Sequence, residues 1–226
     1  MMSVDARFSV EVPIPFDVKQ KAYELVQGGY VGQLSGCWLE LLLIITRVFE
    51  LGKTALSGHD SPTAGPFTAD YVLEFSDLHH QIISFIPSGP VSSETLAAGY
   101  VYQNALLLYL YTTLSPTGLC SSGECRRKID AVVEAAISQL SQIHSRDRVN
   151  TSLCWPLVII GSCTDRTDVQ FSIRERLQVM SHAIRLGNIK GALTLLEQVW
   201  VIPLSQRSPW TLCRIMQECG LWISFA

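Results

Sequence analysis

The sequence predicts an all-α protein: a single irregular bundle of roughly eight helices around an internal apolar pocket. Three observations carry that prediction. Apolar residues recur at the i, i+3, i+4, i+7 spacing of one helix face in segment after segment. Capping and stop residues bracket those segments. Nowhere do two alternating apolar runs flank a hairpin turn, as paired strands would. The 226 residues are 48% apolar and 16% charged. That balance suits one large core, an apolar cavity, or a face that meets a partner.

Residues 1–33 read as an arm, extended by Pro13 and Pro15, and a first helix over Asp17–Gln27 that Gly28 and Gly29 close. Residues 34–226 form the helical domain. In "GCWLELLLIITRVFELGK", Leu41, Ile44, Ile45, Val48 and Leu51 make one wide apolar face, and Gly52 is expected to stop the helix. Residues 57–70 are rich in Gly, Pro, Ser and Thr and form a loop. A helix follows from Asp70 to Phe85, before Pro87. Ser92 or Ser93 caps the next, over 93–114. That segment is apolar nearly all round, so it belongs at the centre of the bundle.

A loop over 115–125 precedes "RRKIDAVVEAAISQLSQIH", whose Ile129, Val132, Val133, Ala136, Ile137, Leu140 and Ile143 face inward. Trp155 and Pro156 open a short buried helix, since Pro is tolerated in a first turn. Gly161, Ser162 and Cys163 are small enough for close packing, and Thr164 or Asp165 caps the helix after them. That helix carries Val169, Ile173, Leu177, Met180 and Ile184 and stops at Gly187. Asn188 caps "IKGALTLLEQVW". Ser208 and Pro209 open the last helix, Gly220 lies past its end, and "LWISFA" docks back on the core.

Several function classes are excluded. Net charge is −3, and the longest basic run is Arg126-Arg127-Lys128. No concentrated basic face is available for direct nucleic-acid contact. No stretch reaches the ~18 apolar residues of a membrane span. "MMSVDARFSV" lacks a basic region followed by an apolar one, so the expected location is intracellular, nucleus or cytoplasm. Seven cysteines are scattered without a C-x-x-C, and none has a His at zinc-ligand spacing. No metal and no cofactor are predicted.

"IIGSCTDR" (159–166) resembles the segment that supplies one iron–sulfur cysteine in aconitase-type dehydratases. Such clusters need further cysteines, usually with a close pair, and none is present. A nucleophilic Cys163 would need a base and a lowered pKa. The helical reading of the stretch is the stronger one, with Arg166 in a structural ion pair. His79 and His80 point about 100° apart on a helix and cannot easily share an ion. No phosphate loop, G-x-S-x-G or H-E-x-x-H occurs. What remains is bulk chemistry. Trp38, Phe49, Tyr102, Leu106, Tyr109, Trp155, Met180 and Trp200 fall on inner faces and are the expected lining of a pocket between helices.

"ETLAAGYVYQNALLLYLYTTL", "SLCWPLVIIGSCTDRTDVQFSIRERLQVM", "GNIKGALTLLEQVW" and "WTLCRIMQECGLWISFA" follow one another along the chain. Together they resemble the C-terminal regulatory domain of fungal zinc-cluster transcription factors. "SGCWLELLLIITRVFELGK" looks like an earlier helix of the same domain, so the resemblance covers roughly residues 34–226. The six closely spaced cysteines of that family's DNA-binding cluster have no counterpart in this sequence. The resemblance implies a regulatory fold and, as in the sterol-sensing members, a site for a lipophilic ligand, but no DNA reading of the family's kind. It transfers no individual ligand contact. Three functions stay open. One is a regulatory domain acting in trans, with a lipophilic molecule and another zinc-cluster regulator or a second copy as partners. Another is an enzyme of secondary metabolism without a motif, promoting cyclisation (pericyclic, Diels–Alder type) or isomerisation of a terpenoid or polyketide. Positioning and exclusion of water would carry such chemistry. Tyr102 and Tyr109 are its candidate catalytic groups, with Asn104 and His182 behind them. The third is a degenerate remnant.

Overall fold

The computed structural model describes residues 20–21, 24–25, 38–59, 68–87, 89, 91–114, 121–184 and 187–220. Eight α-helices can be followed end to end among them: α1 (Leu39–His59), α2 (Ala69–Ser84), α3 (Ser93–Thr112), α4 (Ser122–Leu140), α5 (Cys154–Ser162), α6 (Thr167–Ile184), α7 (Gly187–Trp200) and α8 (Pro209–Glu218). Short 3-10 turns at Arg148–Ser152 and Leu204–Gln206 lead into α5 and α8. The described residues hold no β-strand, as the missing alternation predicts.

The all-round apolar segment is central. Helix α3 packs against α1, α2, α4 and α5, and twelve of its residues are buried. Short α5 is its counterpart in the second half and packs against α3, α6, α7 and α8. Every α5 residue except Trp155 is buried. Two apolar rods therefore lie against each other, and the amphipathic helices turn their apolar faces onto them.

Helix starts follow side-chain chemistry. Thr68, Ser92 and Ser121 each accept a backbone N–H from the residue three ahead, at 3.4, 3.3 and 3.3 Å. Ser208 sits at the N-cap before Pro209, and Gly220 takes φ 62° just after α8.

Four expectations are corrected. Gly52 does not stop α1, which runs seven residues further to His59. The fourth helix begins at Ser122 instead of Arg126, because Ser121 supplies its cap. Thr164 and Asp165 lie before the N-terminus of α6, not at its cap: the first helical turn closes on the Arg166 carbonyl, 3.0 Å from Gln170 N. Thr164 Oγ1 instead accepts from Arg166 N at 3.2 Å in the preceding turn. Asn188 lies inside the first turn of α7 instead of ahead of it. Most of the expected first helix and all of the tail "LWISFA" lie outside the described residues.

The joints between helices rest on cations and amides set against exposed helix C-termini. Gln103 of α3 donates to Ile82 O and Phe85 O at 2.6 and 2.8 Å, closing α2. Arg126 of α4 donates to Cys163 O at 2.8 Å, just past α5. Arg207 reaches Trp200 O at 2.5 Å and Thr164 O at 3.1 Å, pinning the end of α7 to the turn after α5. Arg176 of α6 donates to Leu140 O, Ile143 O and Asn150 Oδ1 at 2.8, 2.7 and 3.0 Å. The ion pairs lie further out. Arg47 joins α1 to Glu74 and Asp77 of α2 at 2.7 Å each, with all three side chains well exposed, so each pair contributes little. Arg166 pairs with Glu134 and Asp168, the structural role expected of it.

Candidate functional site

Phe49, Trp210, Tyr109, Trp155 and Tyr102 form a continuous ladder of rings. Phe49 comes from α1, Trp210 from α8, Tyr102 and Tyr109 from α3, and Trp155 from α5. The two tyrosines are seven residues apart, so they lie on one face of α3, two turns from each other. Phe49 stacks on Trp210 with centroids 5.8 Å apart and planes at 26°. Trp210 stacks on Tyr109 at 4.7 Å and 17°. Tyr109 meets Trp155 edge-on at 6.2 Å and 87°, and Trp155 stacks on Tyr102 at 6.0 Å. Each such pair adds roughly 0.5–1.5 kcal/mol beyond its buried area.

The centre of the ladder depends on a missing side chain. A Cβ built on Gly52 would lie 2.0 Å from Cζ2 of Trp210 and 2.1 Å from Cη2. Only a glycine lets the indole rest against α1 here. Position 52 is therefore a seat for a ring and not the end of a helix.

The polar atoms along the ladder are few, and the charge beside it, the Lys53 ammonium 5.8 Å from the Phe49 centroid, is paired with Glu50 at 3.0 Å. The Tyr102 hydroxyl donates to Ser152 O in the 3-10 turn before α5. The Tyr109 phenol is pushed well above its usual range, chiefly by burial and in smaller part by Cys213. Burial also raises the Cys213 thiol, against a hydrogen bond from its own backbone. Nε1 of Trp210 is buried and has no hydrogen-bond partner, the one such side-chain atom among the described residues. An unpaired buried donor of this kind costs about 1–3 kcal/mol. The indole of Trp200, by contrast, donates to Gly161 O at 3.0 Å and lies under the Arg174 guanidinium at 4.9 Å.

Four of the residues expected to line a pocket meet in this ladder: Phe49, Tyr102, Tyr109 and Trp155. Leu106 is fully buried in α3. Trp38, Met180 and Trp200 make none of the ladder's ring contacts. Trp38 packs edge-on to Phe85 at 6.0 Å, Met180 is buried in α6, and Trp200 belongs to the Arg174 contact. Asn104 is occupied by its own helix, donating to Tyr100 O at 2.8 Å. His182 is exposed on α6, with Nδ1 2.7 Å from Gln178 O. Trp210 was not among the expected lining residues, though it holds the ladder together. The signal for it was local: Ser208-Pro209 starts a helix and leaves Trp210 at its second position.

Other chemistry is scarce. Among the described residues no three His, Cys, Asp or Glu side chains come together as a metal site. His79 is half-buried with Nε2 2.9 Å from the Tyr111 hydroxyl, while His80 is exposed. Burial pushes the Cys163 thiol up to about 12 and the Cys154 thiol up to about 11. These are packing residues, the reverse of an activated nucleophile. At pH 8 a thiol reagent is expected to label exposed Cys219 within minutes and to leave Cys154 and Cys163 unmodified until denaturant is added. Peptide mass mapping of the labelled protein checks this, and prompt labelling of Cys163 would contradict it.

The model of the fungal specific transcription factor domain matches residues 11–226. The chain belongs to that family. No curated protein and no solved structure matches it. The fungal transcription factor domain is thus the frame in which the ladder has to be understood: a regulatory domain, all-α, with its buried aromatic groups at the meeting point of four helices. No helix among the described residues of this transcription factor domain is long and apolar enough to cross a membrane.

Proposed function

We propose that the chain is a regulatory domain that holds a neutral lipophilic small molecule at the aromatic ladder and passes its occupancy to transcription through a protein partner. The observation that carries this reading is the ladder itself. Rings from α1, α3, α5 and α8 converge on one line, and the Lys53 ammonium over Phe49 is paired with Glu50. Such a surface favours a flat or fused-ring apolar molecule, because stacking and removal from water are what it offers. A ligand bridging four helices can change how the two halves of the bundle pack, which gives it leverage over a docking surface. The partner would be a second zinc-cluster regulator or another copy of this chain, in the nucleus or the cytoplasm.

The test is direct. Purified protein is incubated with a lipophilic extract of its source, re-isolated, and its bound small molecules identified by mass spectrometry. The expected result is one retained molecule at close to one equivalent, chemically unchanged. A molecule consumed and released as an isomer would favour the cyclisation or isomerisation reading instead. Retention of nothing would overturn ligand binding altogether.

A further inference from the structure

We propose that the indole N–H of Trp210 is the polar anchor of the site, donating a hydrogen bond to a single ketone-type oxygen on an otherwise apolar, planar ligand. This rests on the lipophilic-ligand reading and narrows it to a chemical class.

Three observations converge. First, Trp210 Nε1 is buried and unpaired, and buried donors are nearly always satisfied. The same fold satisfies Trp200 with Gly161 O and Tyr102 with Ser152 O. Second, the indole cannot turn to seek a partner. Phe49 and Tyr109 both stack on it, at 5.8 and 4.7 Å. The Cζ2–Cη2 edge rests on Gly52. The acceptor has to come to the N–H. Third, the groups that hold the ring in place, Phe49, Gly52 and Tyr109, carry no formal charge, and the Lys53 ammonium, 5.8 Å from the Phe49 centroid, is already paired with Glu50 at 3.0 Å. A neutral oxygen is therefore the matching acceptor. A carboxylate would have to compete with Glu50 for the Lys53 ammonium, and Phe49, Gly52 and Tyr109 offer no other cation to balance it.

The probes are fluorene and 9-fluorenone, planar three-ring molecules of nearly equal size that differ by one carbonyl. Each is titrated into the full chain by calorimetry. The indole N–H resonances of the ¹⁵N-labelled protein are followed in parallel, that of Trp210 being identified by its absence in Trp210→Phe. The ketone is expected to bind about tenfold more tightly than the hydrocarbon, equivalent to about 1.4 kcal/mol. It is also expected to move the Trp210 resonance, which the hydrocarbon leaves in place. In Trp210→Phe the preference of the ketone over the hydrocarbon falls to about one, whatever affinity the variant keeps for either probe. Equal affinity of the wild-type chain for both probes overturns the anchor and leaves the lipophilic site standing. A ketone preference that survives Trp210→Phe also overturns it. Binding of neither probe overturns the anchor and the lipophilic site together. The wild-type ratio needs no variant, so a Trp210→Phe that fails to fold does not rescue the proposal.

Discussion

Gly52→Ala is expected to destabilise the folded chain by about 2–3 kcal/mol, although alanine is the better helix former by about 1 kcal/mol. Propensity acts in every helix, but the clash at position 52 is specific. The new methyl would enter the Trp210 ring edge at 2.0 Å, a separation no Cβ tolerates. The ring has little room to move, because Phe49 and Tyr109 both stack on it. Either Trp210 leaves the ladder or α1 moves away from α8. A loss of this size lowers the melting temperature by roughly 4–12 °C in a chain of this length. Near-ultraviolet circular dichroism should weaken in the same variant, since the stacked rings separate. Adding Trp210→Leu to Gly52→Ala removes the clashing ring, so the pair should be coupled favourably in a double-mutant cycle. A Gly52→Ala as stable as the parent would show that the seat is not where the packing places it.

Arg176→Met is expected to cost about 3 kcal/mol, read as a lower urea midpoint with an unchanged slope. The guanidinium closes the end of α4 by donating to Leu140 O and Ile143 O, and it reaches Asn150 Oδ1 across the following turn. Asn150 is itself buried and donates to His144 O and Asp147 O. Methionine matches the aliphatic length but leaves those three oxygens without their donor. Hydrogen bonds to a charged group contribute about 1.5–3 kcal/mol each, less what water recovers at the half-buried edge. Arg176→Lys should recover little. An ammonium is a point charge, and it cannot span three acceptors that a planar fork meets at once. Burial lowers the Arg176 pKa, and nearby Glu175 and Asp147 only partly offset this, yet a guanidinium stays protonated at any pH the fold survives. The joint is therefore expected to hold without a pH-dependent step of its own.

The helices and the two central rods were legible because they depend on local pattern. Ser92, Ser208-Pro209 and the apolar run of residues 93–114 announce their roles within a few neighbours. The family was legible for the same reason, from the order of those segments. Gly52 was misread because a glycine in a helix looks the same whether it ends the helix or makes room for a ring. Only Trp210, far along the chain, distinguishes the two. The aromatic ladder was legible in part. Composition picks out large aromatic residues on inner faces, and Phe49, Tyr102, Tyr109 and Trp155 do meet. It cannot say which helices pair, so Trp38, Met180 and Trp200 carried the same signal and lie elsewhere. The arginine joints were invisible for a related reason: their acceptors are backbone carbonyls, which every residue has.

The ladder joins Phe49 to Trp210, partners about 160 positions apart. On the ribosome, at about 5–20 residues per second, α1 emerges on the order of 10 s or more before α8 can cover it. For that interval the apolar face of α1 is open to solvent and to other nascent chains. Its first protector in the cell must therefore be something other than its own final contact: the early neighbours α2 and α3, or a chaperone that recognises exposed aromatic and aliphatic surface.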